Sequence, residues 1–239
     1  MKIMRTYDIL NYVKKRKRCT VKELMQRFKA SSATIHRDIA TLVGGGALER
    51  VRGGVVFTEA PVALPGSADF QVRVISNRTA KERIAEKALG LVAEGDILFL
   101  DSSTTVFMFA MQLKNRPFDH LTIITNSVSI IQNFRKFPQH WVLIALGGNY
   151  DPQLNSILGR SALDQLSDFT VTKAFVSAFG VDDKIVTTNR ERQAELVKEV
   201  LDMAGKRYLL VDRTKFGRKG LYRQSARGAF DEIVTDSKA

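Results

Sequence analysis

Four short segments carry residue types suited to holding an anion: Asp101-Ser102-Ser103-Thr104-Thr105, Thr125-Asn126-Ser127, Gly147-Gly148 and Asp212-Arg213-Thr214-Lys215. Hydroxyls and backbone N–H groups at the start of a helix favour phosphate, because the helix dipole and its unpaired donors point at the ligand. Lys215 adds a point charge. Taken singly, each segment also reads as an ordinary helix cap, turn or bend. What joins them is position, since each succeeds an apolar, strand-like run: 97–100, 121–125, 142–146 and 208–211. Two further runs, 174–178 and 233–234, complete the set. Helical patterns at roughly 79–93, 104–114, 127–136, 160–167 and 190–204 lie between them. Alternation of this kind predicts a mainly parallel sheet covered by helices. In such sheets ligands bind beyond the carboxyl ends of the strands, where these four segments fall.

A second set of residues lies in the basic N-terminal quarter. The chain has 239 residues with 37 basic and 25 acidic side chains, a net charge of +12, and residues 1–57 hold 13 basic against 4 acidic. A net +9 thus sits in the first 57 residues, which implies an acidic partner such as nucleic acid. The basic residues are interleaved with apolar ones at helical spacing, which argues against a merely solubilising tail. Ile9, Leu10 and Val13 mark a first helix that ends near Lys14–Arg18, where cations suit the helix dipole with or without a phosphate partner. Thr20 and Glu23 have capping-box spacing ahead of Val21, Leu24, Met25 and Phe28, a second, short helix. After the turn at 29–31, capped by Ser31 or Ser32, a third helix carries Ile35, Ile39, Leu42 and Val43 on one stripe. Two short helices joined by a tight turn are a helix-turn-helix, whose second helix enters the major groove.

On that helix Arg37 lies opposite the apolar stripe, with Ala33, Thr34, Ala40 and Thr41 beside it and His36 on the flank. Arginine can donate a bidentate pair to guanine, and a threonine can bond a phosphate or touch a thymine methyl. Gly44-Gly45-Gly46 ends the helix. Residues 48–57 then read as a basic hairpin or wing, with Arg50 and Arg52 sharing one strand face toward the DNA backbone. Ser31, Ser32, Thr34, His36, Arg37, Arg50 and Arg52 are the expected DNA-contacting residues. Pro61, Pro65, Gly66 and Ser67 mark a linker over 58–72. The expected organisation is a winged helix-turn-helix domain at 1–57 and a larger α/β effector domain at 73–239.

Other classes are excluded or disfavoured. No apolar run reaches the ~18 to 20 residues of a membrane span. The start of the chain lacks the apolar core of a secretory signal, so a cytoplasmic location is expected. One cysteine, Cys19, cannot form an internal disulfide, and His36, His120 and His140 are scattered, so neither a metal nor a cofactor is expected.

The run Ser31–Ile39, SSATIHRDI, with GALERVRGGVVF after it, resembles the winged helix-turn-helix of DeoR-type bacterial regulators of sugar metabolism. That family usually has two arginines where this chain has His36 and Arg37, and a histidine where Arg52 stands. The resemblance continues through the second domain. The family's sensor domain is similar to sugar-phosphate isomerases of the ribose-5-phosphate type and carries a D-x-G-S/T-T loop, a T-N-S turn, a Gly-Gly and a D-x-x-K segment. Here Ser103 replaces the loop glycine. The resemblance also implies Arg73, Asn77 and Lys81 ahead of the first strand, with Lys81 helping to hold phosphate. Arg73, Lys81, Asp101, Ser102, Ser103, Thr104, Thr105, Thr125, Asn126, Ser127, Gly147, Gly148 and Lys215 are therefore the expected effector-binding residues.

The expected protein is a regulator of a sugar operon, acting as a repressor. It would bind double-stranded operator DNA, respond to a phosphorylated sugar, and act as a homodimer or homotetramer because half-sites follow protein symmetry. Sequence leaves two rivals open. One is a sugar-phosphate isomerase with a basic arm, using Asp182, Asp183 or Glu191 near Lys215. The other is a nonspecific DNA-binding protein.

Overall fold

A computed structural model describes residues 2–44, 48–57 and 70–237, and its contacts divide into two compact units, Met1–Ser76 and Asn77–Ala239. In the first unit, helix α1 (Lys2–Arg16) is followed by strand β1 (Arg18–Thr20), α2 (Val21–Phe28), α3 (Ser32–Gly44), β2 (Leu48–Val51), β3 (Gly54–Phe57) and α4 (Phe70–Ile75). The capping box is present. Glu23 N–H donates to Thr20 Oγ1 at 3.2 Å, and Thr20 N–H donates to Glu23 Oε2 at 2.7 Å. The expected stripes close one core: Ile9, Val13, Leu24, Ile35, Ile39 and Leu42 are buried together with Leu48 and Val55.

Strand β1 has no signature in the sequence pattern. It pairs antiparallel with β3, which pairs with β2, so the wing is a three-stranded sheet in the order β1-β3-β2. A side chain at Gly54 would place its Cβ 2.2 Å from the Cys19 carbonyl oxygen, so glycine is required where β3 crosses β1.

The structure corrects three expectations. The unit does not end at 57, because α4 buries Phe70, Val72, Val74 and Ile75 and packs on α1 and α3. The expected linker over 58–72 therefore stops short of Phe70; residues 58–69, with their prolines and glycine, lie outside the described residues. Arg73 belongs to this first unit, its guanidinium 5.7 Å from the Phe70 ring centroid. Arg52 is not on a strand: Val51 pairs with Gly54, which leaves Arg52 and Gly53 as the two-residue turn. Gly45 and Gly46 also lie outside the described residues.

The second unit is built on a six-stranded, wholly parallel sheet. Its strands are β4 (Ile97–Leu100), β5 (Thr122–Thr125), β6 (Val142–Ala145), β9 (Val171–Val176), β12 (Ala204–Leu210) and β14 (Glu232–Val234), in the order β14-β12-β9-β4-β5-β6. Helices α5 (Arg78–Leu89) and α6 (Thr104–Leu113) pack together on one face, and Phe109 of α6 meets Phe175 of β9 at 4.6 Å between ring centroids. The alternate residues Phe99, Ile124, Ala174, Val176 and Leu209 join a core with α8 (Arg160–Leu166) and α9 (Glu191–Met203). Period-two alternation thus places one apolar set on each face. Helix α7 (Val128–Asn133) comes after β5. Further strands that the sequence pattern does not predict are the hairpin β7 (Asn149–Asp151) and β8 (Ser156–Leu158), and a small antiparallel sheet of β10 (Gly180–Val181), β11 (Ile185–Thr188) and β13 (Tyr222–Ala226).

Helix α3 is tied to α1 by a buried charge. Arg5 Nε donates to Asp38 Oδ2 at 2.6 Å, the Asp38 side chain is 1% exposed, and Thr6 Oγ1 donates to Asp38 Oδ1 at 3.4 Å. Removing the carboxylate takes away the acceptor that pairs with the guanidinium, although the Arg5 side chain keeps 23% of its exposure. Asp38→Ala should therefore destabilise this unit by about 2 kcal/mol, below the usual range for breaking a fully buried pair. The expected readout is amide hydrogen exchange about 30-fold faster in α3, with the sheet of the second unit unchanged.

Candidate functional sites

On α3 the apolar residues Ile35, Ile39 and Leu42 face inward, while Ser32, Ala33, His36, Arg37 and Ala40 are exposed. This is the face the helical spacing predicts. Arg37 has no ion-pair partner among the described residues. Ser31 rather than Ser32 caps the helix: Thr34 N–H lies 3.4 Å from Ser31 Oγ, and the two hydroxyls are 2.9 Å apart. Thr34 is half-buried and its hydroxyl is engaged in that cap. Arg50 on β2 and Arg52 in the turn are both exposed.

The basic run after Val13 is more organised than a solvated helix end. The Arg16 and Arg27 guanidiniums lie 5.0 and 6.0 Å from the Tyr12 ring centroid, and Lys14 and Lys17 lie 5.6 and 5.5 Å from that of Phe57. Aromatic faces attract these cations, so Tyr12 holds two of them at α1 and Phe57 holds the other two at the wing. Sequence shows the charges but not their ring partners, which the fold brings to them from α1 and the wing.

In the second unit, the register places the ends of the central strands level: Leu100 pairs with both Thr125 and Phe175, and Thr125 pairs with Ala145. Asp101 is buried, and its carboxylate accepts from Ser103 N–H and Ser177 N–H, both at 2.8 Å. It shapes the loop and joins it to the end of β9. Ser103 takes the N-cap of α6, its hydroxyl accepting from Val106 N–H at 3.2 Å. Its side chain therefore has a structural task in place of the loop glycine. The hydroxyls of Ser102, Thr104 and Thr105 have no hydrogen-bond partner among the described residues. They stand at the N-terminus of a ten-residue helix, the arrangement suited to an anion.

Neighbouring residues serve the framework, and two of them, Asn126 and Asp212, each keep one buried atom without a partner. Thr125 donates to the Leu100 carbonyl and accepts from Ser127 N–H, and Ser127 caps α7, so both are committed to the backbone. Asn126 Nδ2 donates to Ser156 Oγ at 2.9 Å and to the Ile157 carbonyl at 3.2 Å, whereas its Oδ1 is buried without a partner. Asp212 Oδ1 accepts from Thr214 N–H at 3.0 Å and from Asn77 Nδ2 at 3.4 Å, and its Oδ2 is likewise unpartnered. Lys81 on α5 is only 5% exposed, unusual for a lysine, and Lys215 Nζ lies 5.9 Å from the Phe179 ring centroid.

Gly147 and Gly148 serve packing. Gly147 N–H donates to Gln165 Oε1 at 2.9 Å, and Gly148 has φ +145° with a Cβ position 2.7 Å from the Leu158 carbonyl oxygen. The Gly147 N–H is thereby already used. Ser177 is hidden in the sequence because the apolar run extends through Ala178, whereas β9 stops at Val176 and makes Ser177 a strand-end residue.

Two of the three carboxylates considered for acid–base chemistry have partners, and the third is a surface residue. Asp182 accepts from Ile185 N–H at 2.7 Å and Lys184 N–H at 2.8 Å, closing the β10–β11 turn. Those backbone bonds, with Lys219 beside it, hold its carboxyl below the ordinary range. Asp183 is fully exposed, with Arg227 at 3.7 Å, and Glu191 is exposed on the first turn of α9. Among the described residues no group of three His, Cys, Asp or Glu could hold a metal, and no helix is long and apolar enough to cross a membrane.

A winged helix-turn-helix joined to an α/β unit with an anion-ready sheet edge defines a DNA-binding regulator with a sensor domain. Residues 5–60 match the DeoR-like helix-turn-helix domain and residues 76–237 match the DeoR C terminal sensor domain, so the chain belongs to the DeoR family of transcriptional regulators. It is 33% identical over 222 residues to the HTH-type transcriptional regulator IolR of Bacillus subtilis (strain 168), covering 92% of this chain and 86% of that one. To the lactose phosphotransferase system repressor of Lactococcus lactis subsp. lactis it is 29% identical over 234 residues, 98% of this chain and 91% of that one. Among solved structures it is similar to ribose 5-phosphate isomerase A of Methanocaldococcus jannaschii, at 20% identity and a TM-score of 0.43 over 59% of this chain and 55% of that one. The chain is a regulator, not an enzyme.

Gly148→Ala should strain the backbone and drive a methyl group against the Leu158 carbonyl, destabilising the second unit by about 1 to 3 kcal/mol. Urea denaturation followed by Trp141, the only tryptophan and a buried one, measures the loss.

Proposed function

We propose that the protein is a cytoplasmic repressor of a sugar-catabolism operon, which binds its operator as a homodimer or homotetramer and is controlled by a phosphorylated sugar in the second domain. The observation that carries the ligand class is the set of unpartnered hydroxyls of Ser102, Thr104 and Thr105 at the start of α6. A phosphate dianion accepts hydrogen bonds and is favoured by the positive end of the helix dipole. Lys81 and Lys215 are the cations assigned to it by the family motifs. Asp101, Ser103, Thr125 and Ser127 hold the loop and turn in shape, and Gly147-Gly148 fits the hairpin beside them.

The relatives support the same reading, since one is named a repressor of a lactose phosphotransferase system. The exposed face of α3, centred on Arg37, enters the major groove, with Arg50 and Arg52 on the neighbouring backbone. Ser31 acts as the cap that sets the start of this helix. Control requires the sugar to bind the DNA-free and DNA-bound forms with different affinities, since equal affinity shifts nothing.

Fluorescence anisotropy on DNA flanking the gene, against unrelated DNA at one salt concentration, tests both halves. Specific binding that a phosphorylated sugar changes is expected; equal binding to all DNA with no sugar effect overturns the reading. Arg37→Ala should weaken operator binding by about 1 to 3 kcal/mol while leaving sugar binding unchanged. Equal loss on every DNA sequence would instead assign Arg37 to phosphate alone. Lys215→Ala and Thr104→Val should keep operator affinity and lose the response to the sugar, and a response that survives both would displace the proposed pocket.

A further inference from the structure

Gln224 has no counterpart in the motifs that mark the sensor site in the sequence. It lies on β13, is wholly buried, and donates from Nε2 to the Ser177 carbonyl at 3.0 Å, while its Oε1 has no partner. Ser177 in turn donates its N–H to Asp101, so the glutamine stands two hydrogen bonds from the centre of the sensor loop. The pairing of β11 with β13 skips it: Val186 pairs with Ser225 and Thr187 with Arg223. Gln224 is the extra residue of a β-bulge, a distortion that re-aims a side chain and recurs beside binding sites.

Burying a carbonyl oxygen without a donor is unfavourable, and native proteins rarely tolerate it without a reason. Six buried side-chain atoms of the described residues lack a partner; beside Gln112 Oε1, Arg207 Nε and Ser225 Oγ they include three on residues that sit at, or are hydrogen-bonded to, the loops after the parallel strands. Asn126 Oδ1, Asp212 Oδ2 and Gln224 Oε1 are all buried and unpartnered, while the other half of each group is pinned. All three are acceptors. A phosphate dianion is also acceptor-only and can satisfy none of them, whereas the hydroxyls of a polyol can donate to each.

We infer that Gln224 is a specificity-determining residue of the sensor site, its Oε1 accepting a hydroxyl of a polyhydroxylated phosphate ester. This rests on the sensor reading above and adds a division of labour. The α6 loop takes the phosphate, and Gln224, with Asn126 and Asp212, reads the hydroxylated end. A phosphate ester lacking hydroxyls is discriminated against, because such a molecule leaves the buried acceptors unpaired.

Calorimetric titration of the full chain tests this with inorganic phosphate, n-butyl phosphate, and ribose 5-phosphate, glucose 6-phosphate and fructose 1-phosphate as probes. The wild type should prefer at least one sugar phosphate over n-butyl phosphate by about a hundredfold or more, given roughly tenfold per hydroxyl read. Gln224→Met keeps the length of the side chain and removes its acceptor. It should cut that preference by about tenfold while leaving inorganic phosphate binding within about twofold. Gln224→Glu, which keeps an acceptor oxygen, should retain the preference even where absolute affinity falls, and it serves as the test if the methionine variant does not fold. A preference unchanged in Gln224→Met, or lost equally in Gln224→Glu, overturns the role of Gln224 alone. If the wild type binds n-butyl phosphate as well as every sugar phosphate, hydroxyl reading fails while phosphate sensing stands. If it binds none of the probes, the sensor reading falls and this inference falls with it.

Discussion

A buried carboxylate at the end of β4 organises the sensor domain. Asp101 can be tolerated inside the protein because two backbone N–H groups, from Ser103 and Ser177, converge on its oxygens. Charge-assisted bonds of this kind offset part of the desolvation of an ionised group. In doing so they set the path of two chain segments far apart in sequence. The loop after β4 is bent so that Ser103 caps α6, and the end of β9 is drawn beside it. Free hydroxyls at the helix start and the contact to Gln224 both depend on this arrangement.

The first unit uses the same device. Asp38 sits on the inward side of α3 and receives Arg5 and Thr6 from α1. A buried pair is weak evidence for net stability, but it is geometrically demanding. It sets how the helix lies on its neighbour and therefore which residues it presents, among them Arg37 one position before it. The ring-bound cations around Tyr12 and Phe57 extend the positive surface while reducing the side-chain freedom that phosphate contact would otherwise have to remove. Across both units, residues outside the contact surface decide where the contacting groups point.

Much of the architecture was legible from local pattern. Alternating apolar runs placed β4 at 97–100, and periodic helices agreed with α6 and α8 within a residue at either end. The Thr20–Glu23 spacing named a real capping box. Strands β1, β7, β8, β10, β11 and β13 are not legible, because each gains its identity from an antiparallel partner strand. Helix α4 escapes local pattern for a related reason, since six residues beside a proline-rich stretch carry too little periodicity to stand out.

The site divides along the same line. Residue type and order alone determined that this chain has a basic helix-turn-helix with Arg37 outward and a parallel α/β unit whose polar residues collect beyond the strand ends. Those features arise from periodicity, charge and capping, which act over a few neighbouring residues. Tertiary structure alone decided which polar groups remain available. It committed Thr125, Ser127 and Gly147 to internal hydrogen bonds, placed Arg73 in the first unit, and brought Ser177 and Gln224 to the sheet edge. Hydrogen-bond satisfaction in a buried setting depends on partners dozens of residues away, and no local pattern encodes it.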